Sequence, residues 1–136
     1  MPRHHHQSAS GPSQRQLRVA EEIRRTVHDI LARAHWREPL LADAVITVTG
    51  ARISPDLKNA TLFVTPLGGA KEEEIVAALN VAKAYVRGEL GHALNHLRVV
   101  PTLRFELDRS FDEGAHIDEI LRSREVQRDL EPRDED

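Results

Sequence analysis

The chain of 136 residues contains no cysteine. That excludes disulfides, thiolate catalysis and cysteine-ligated zinc together, and it suits a reducing cytosol, so the cytoplasm is the expected compartment. Aromatic residues make up only 4% of the chain, a single tryptophan, a single tyrosine and three phenylalanines, so base stacking is not advertised. No apolar run approaches the ~20 residues that a membrane-spanning helix needs. The opening MPRHHHQSASGP lacks the apolar core of a secretory signal, and no export or membrane role is expected. Strong charge of one sign is missing as well, since 19 basic and 22 acidic side chains leave a formal net charge of −3. A generic nucleic-acid binder would be strongly basic. Catalytic signatures are absent: there is no G-x-S-x-G, and Gly68-Gly69-Ala70-Lys71 has neither the glycine spacing nor the Ser or Thr of a phosphate loop. No enzyme, cofactor, metal or small-molecule substrate is expected.

What is present suits one globular domain, with 40% hydrophobic and 30% charged residues. Residues 13–108 hold 13 basic and 12 acidic side chains, whereas residues 109–136 hold 5 and 10. The body is therefore near neutral and the acid sits at the end. Residues 1–12, polar and with three consecutive histidines, read as disordered, and so does the acidic tail 123–136, leaving residues 13–122 for the domain. Like-charge repulsion should keep the tail off RNA, so removing residues 123–136 is expected to raise affinity for arbitrary RNA at low salt.

Hydrophobic period supplies the element order. Ser13 and Gln16 form an S-x-x-Q capping box ahead of a helix with Leu17, Ala20, Ile23, Val27, Ile30, Leu31 and Ala34 on one face. Pro39 ends that helix, and Trp36 is expected to cover the end of the core. Val45 to Ile53 reads as a strand with Gly50 marking a bulge or a close backbone approach, and Ser54-Pro55-Asp56 turns it into a second strand around Ala60, Leu62 and Val64. From Lys71 the period becomes helical, with Ile75, Leu79, Ala82, Val86 and Leu90 on one face and Leu94 and Leu97 prolonging the stripe. After Pro101 strict alternation returns, with Leu103, Phe105 and Leu107 inward. A short helix using Ile117, Ile120 and Leu121 follows, capped by Ser110 or Asp112. The fold class is α+β, with helices and a three-stranded sheet.

Three features could carry chemistry. His92 and His96 would share a helix face as metal ligands might, but Ala93 stands where a metalloprotease motif needs glutamate, and surface histidines are the simpler reading. Gly88-Glu89-Leu90-Gly91 has the GxxG form of a KH loop, yet Glu89 would repel a phosphate, and close helix packing or a bend explains the glycines as well. Between Lys83 and Arg104 the chain is locally basic: Lys83, Arg87, Arg98 and Arg104 stand against Glu89 alone, with His92 and His96 nearby. Guanidinium groups on rigid elements make charge-assisted phosphate contacts, although a solvated face would have the same composition.

Three stretches together resemble a known family. SQRQLRVAEEIRRTVHDIL, ISPDLKNATLFVTPLG and LRVVPTLRFELDRSFDEGAHIDEIL, covering about Ser13 to Arg122, resemble the ribosome-binding factor A family in order and spacing. The resemblance implies a type II KH-like domain of order α-β-β-α-kink-α-β, in which a kink between paired helices replaces the GxxG loop. The family's kink is typically Ala-x-Gly, and here it falls on Ala82-Lys83-Ala84, with Ala84 in place of the glycine. The bend is therefore expected to be shallower or displaced toward Gly88. The resemblance further implies association with the maturing small (30S) ribosomal subunit near the decoding region of its 16S rRNA, assisting late rRNA processing or folding, notably in the cold. On that basis Lys83, Arg87, His92 and Arg98 are expected to face rRNA, with Lys58, Arg15 and Arg18 as outlying contacts, and the protein is expected to be a monomer. The competing expectation is a small α+β protein-interaction module that touches no nucleic acid.

Overall fold

In the computed structural model, which describes residues 11–68 and 70–110, Ser13 starts the first helix as its sequence suggests. Its hydroxyl accepts from the Gln16 N–H at 3.1 Å, and the Gln16 side-chain oxygen accepts from the Ser13 N–H at 2.9 Å. Both arms of the capping box are thus closed, satisfying donors that a helix start otherwise leaves orphaned. Helix α1 (Gln14–Arg33) buries Ala20, Ile23, Val27, Ile30 and Leu31. Its stripe begins one turn later than the spacing predicts, because Leu17 is 54% exposed and the first turn stands clear of the core.

After α1 the chain runs extended at Ala34, and half-buried Trp36 packs edge-on against Tyr85 with ring centroids 5.6 Å apart. Glu38 then caps an unexpected four-residue helix, α2 (Pro39–Ala42), its carboxylate accepting from the Leu40 N–H at 3.0 Å. Proline ends one helix here and opens another, since its fixed φ and missing N–H suit a first turn. The element order is therefore α-α-β-β-α-α-β, one helix more than expected.

Strands β1 (Ile46–Ile53) and β2 (Asn59–Pro66) form the expected antiparallel hairpin. Strand β3 (Thr102–Leu107) lies parallel to β2 on its other side, giving a mixed three-stranded sheet of order β1-β2-β3. The register slips between Val48 and Gly50, the bulge that Gly50 signalled. Backbone groups at the bulge find partners on α1: the Val48 N–H donates to His28 Nδ1 at 3.2 Å, and its carbonyl accepts from Arg24 Nη1 at 3.0 Å. On the open face the Phe63 ring covers Gly50, and the Arg52 guanidinium sits 5.1 Å from the ring centroid.

The second helical region is a pair, α3 (Glu72–Val81) and α4 (Lys83–Ala93), burying Ile75, Leu79, Val86 and Leu90 against the sheet's inner face. The break falls at Ala82, whose φ of −89° and ψ of 6° leave its N–H bonded back to Ala78 and Leu79. Gly88 and Gly91 lie inside α4, so the GxxG is not a loop. Gly91 serves packing, since a Cβ there would come 3.2 Å from Val100 Cγ2. Helix α4 ends before His96, so His92 and His96 do not share a helix face; His96 instead approaches Glu22 at 3.4 Å. At the sheet's β3 edge the Asn80 amide both donates to the Phe105 carbonyl and accepts from its N–H, each at 2.9 Å. Every buried side chain among the described residues is apolar. At roughly 1.5–3 kcal/mol for each fully buried aliphatic or aromatic residue, this one cluster is the main source of stability. The expected terminal segments and the helix around Ile117 lie outside the described residues.

Candidate nucleic-acid interface

Three chain segments meet at one end of the sheet. Gln16 Nε2 donates to the Ile53 carbonyl at 3.1 Å, which ties the start of α1 to the end of β1. The turn that follows is held rigidly: the Ser54 hydroxyl donates to Asp56 Oδ1 at 2.6 Å, while Lys58 and Asn59 N–H groups donate to the Ser54 oxygen at 3.2 and 3.0 Å. These bonds over-determine a left-handed Leu57 at φ 63°, a conformation that a branched side chain rarely adopts unaided. The Ser54 hydroxyl, with the Lys58 N–H second, holds the Asp56 carboxyl below its usual range. The third segment enters because β3 runs parallel to β2: the Thr102 N–H donates to the Lys58 carbonyl at 2.9 Å, and its hydroxyl to Asn59 Oδ1 at 2.7 Å.

Between these segments lies a groove of about 1070 Å³. Arg15, Arg18 and Arg25 reach it from α1, Lys58 from the turn and Arg98 from the α4–β3 connection; its acids are Glu22 and Asp56. Four of the seven positions singled out in the sequence thus come together: Arg15, Arg18, Lys58 and Arg98. All four are exposed, and none pairs with an acid among the described residues. The first turn of α1 contains no acid, so the positive end of the helix dipole adds to this field rather than being neutralised. Arg25 is not among the residues that sequence reasoning singles out; its spacing from Arg18, seven residues on one helix face, is the signal available.

Lys83 and Arg87 line a second, smaller depression of about 500 Å³ with Gly88, Gly91 and Val100. The two hollows flank the same segment, with Val99 and Pro101 on one and Val100 and Thr102 on the other. Arg87 spends its guanidinium within the fold, donating from Nε to the Pro101 carbonyl at 3.0 Å and from Nη2 to the Val100 carbonyl at 2.7 Å. It positions the connection that carries Arg98. His92 is exposed on α4 and lines neither hollow. Arg104 belongs to the open sheet face, where it pairs with Glu106 at 3.2 Å, so the basic window of the sequence does not form one patch. The helix break at Ala82 and exposed Lys83 and Ala84 lie beside the smaller depression, not in the groove. Among the described residues no cluster of three or more His, Cys, Asp or Glu could hold a metal.

Fold and site together define a small α+β binding domain whose cations gather at the joined ends of its elements. The family model described as ribosome-binding factor A matches residues 15–121. Over 132 residues the chain is 49% identical to ribosome-binding factor A of Bradyrhizobium sp. (strain BTAi1), covering 96% of this chain and 95% of that one. The crystal structure of ribosome-binding factor A from Thermus thermophilus superposes with a TM-score of 0.57 at 18% identity, over 68% of this chain and 94% of that one. A second Thermus thermophilus coordinate set, a homology model of ribosome binding factor A fitted into a cryo-EM map of its 30S complex, gives a TM-score of 0.56 at 20% identity, over 69% and 96%. The chain belongs to the ribosome-binding factor A family, whose members are binding factors and not enzymes.

Proposed function

We propose that the protein is an assembly factor that binds the maturing small (30S) ribosomal subunit, contacts its 16S rRNA and assists late rRNA processing or folding. The observation that carries this reading is the groove, where Arg15, Arg18, Lys58 and Arg98, far apart in sequence, converge at the positive end of α1. Guanidinium and ammonium groups on a rigid frame supply charge-assisted phosphate contacts, which position an RNA without reading its sequence. Lys83 extends the basic path beyond Val100, and Arg87 supports it from within. In this reading the helix break at Ala82 stands where a KH loop would, and the domain of residues 13–122 is KH-like. The 30S complex of the Thermus relative supports the choice of partner. No cofactor or small-molecule substrate enters, and the protein acts as a monomer in the cytoplasm.

Co-sedimentation with purified small and large ribosomal subunits across a salt series tests the proposal. Selective binding to the small subunit with a steep logarithmic salt dependence is the expected result, because phosphate contacts release counterions. Binding that ignores salt would point instead to an apolar protein interface.

A further inference from the structure

The groove that gathers the cations has an apolar floor. Val19 from α1, Leu57 from the turn, and Leu97, Val99 and Pro101 from the α4–β3 connection line it beneath the basic rim. Val99 is 55% exposed, and the strained Leu57 backbone is held in place by the Ser54–Asp56 network. A surface that meets only the backbone of a duplex has no use for such a floor, since it touches phosphates and sugars while the bases stay stacked inside. A single strand offers both parts: phosphates for the rim, and unstacked bases whose flat, weakly polar faces lie on apolar side chains.

From this juxtaposition we infer that the groove takes single-stranded RNA, with an unstacked base against Leu57, Leu97 and Val99 and its flanking phosphates on Arg18, Lys58 and Arg98. The assignment rests on the RNA-binding reading above and narrows it to one class of RNA. Aromatic stacking is not required, because the apolar walls supply contact area and the cations supply most of the affinity. Base identity is read weakly, since the floor has no fixed donor or acceptor.

Three probes of equal length test it on the full chain by fluorescence anisotropy: an oligouridylate, an RNA duplex, and an abasic RNA strand that keeps only the phosphates. The oligouridylate should bind about tenfold more tightly than either of the others at the same salt. Val99→Ser, at an exposed position that leaves the core intact, should weaken oligouridylate binding about three- to tenfold without changing its salt slope or affecting the abasic strand. Arg18→Gln should do the converse and flatten the slope for all three by about 0.7–0.9. Equal binding of duplex and single strand, or no effect of Val99→Ser, would overturn the single-strand assignment while leaving the phosphate-binding reading in place. Displacement of bound oligouridylate by an acidic amphipathic peptide at lower concentration than by RNA would overturn it in favour of a protein partner. No salt-dependent binding to any probe would overturn both.

Discussion

Helices α1 and α3 begin with opposite charge. At α3 three consecutive acids, Glu72, Glu73 and Glu74, occupy the first turn, the arrangement that the helix dipole favours. At α1 that turn has no acid; it carries Arg15, with Arg18 just beyond. Helix α1 is secured by other means, the closed Ser13–Gln16 box and the Gln16 bond to the Ile53 carbonyl. Helix α3 has no side-chain cap at its start and relies on its acids there and on Asn80 near its end. The difference separates two uses of charge. At α3 it serves the helix; at α1 it opposes the helix and is kept for an anion outside the chain. Local rules are broken where function needs it.

The sharpest way to break this contrast is to give α1 the charge of α3. Arg15→Glu with Arg18→Glu should fold at least as well as the parent, and its small-subunit affinity should fall more than about a hundredfold, at ~1.5–3 kcal/mol for each charge-assisted hydrogen bond lost. Co-sedimentation together with a thermal melt reads both halves of that expectation. Next in size, Asn80→Ala should cost about 1–3 kcal/mol in urea unfolding by stranding the Phe105 N–H and carbonyl at the sheet edge, with affinity kept in whatever protein remains folded. Ser13→Ala should cost about 1 kcal/mol, because α1 has no acid to compensate for a lost cap. Glu72→Gln and Glu74→Gln should cost roughly 0.3–1 kcal/mol each, detectable at low salt and fading as salt rises, with no change in RNA or subunit binding.

The smallest effect concerns pH. Asp56 has its folded pKa lowered, chiefly by the Ser54 hydroxyl, so its contribution to the turn is fully present above the unfolded pKa and is lost as pH falls through the folded one. Between neutral pH and the ordinary aspartate range the turn should hold. NMR titration should show the Asp56 carboxyl and the Lys58 amide changing together below that range. Separate transitions would contradict the network.

Much of the fold is legible in the sequence because it rests on short-range rules. The Ser13 capping box, the bulge at Gly50, the Ser54-Pro55-Asp56 turn and the alternation after Pro101 each depend on residues within a few positions of one another. The four-residue α2 escapes a reading in which Pro39 acts only as a terminator, although Glu38-Pro39 is also an N-cap followed by a favoured first residue. The groove is half legible. Residue type picks out its cations, but proximity in sequence groups Arg98 with Lys83 and Arg87 and sets Arg15, Arg18 and Lys58 apart. What joins Arg98 to Lys58 is the parallel pairing of β3 with β2, a long-range choice that no local pattern encodes. Arg87 shows the converse: an arginine in a basic stretch whose guanidinium serves two backbone carbonyls.

The central claim is that the joined ends of α1, the β1–β2 turn and the α4–β3 connection form the RNA-facing surface. The salt slope of small-subunit binding, measured for the parent, for Arg18→Gln with Arg98→Gln, and for Lys83→Gln, tests it most directly. The account predicts that the groove pair flattens the slope by about 1.4–1.8, two contacts at 0.7–0.9 each, and that Lys83→Gln changes it by less than one contact. A parental slope in the groove pair, with the loss confined to Lys83→Gln, would contradict it and move the interface to the helix break.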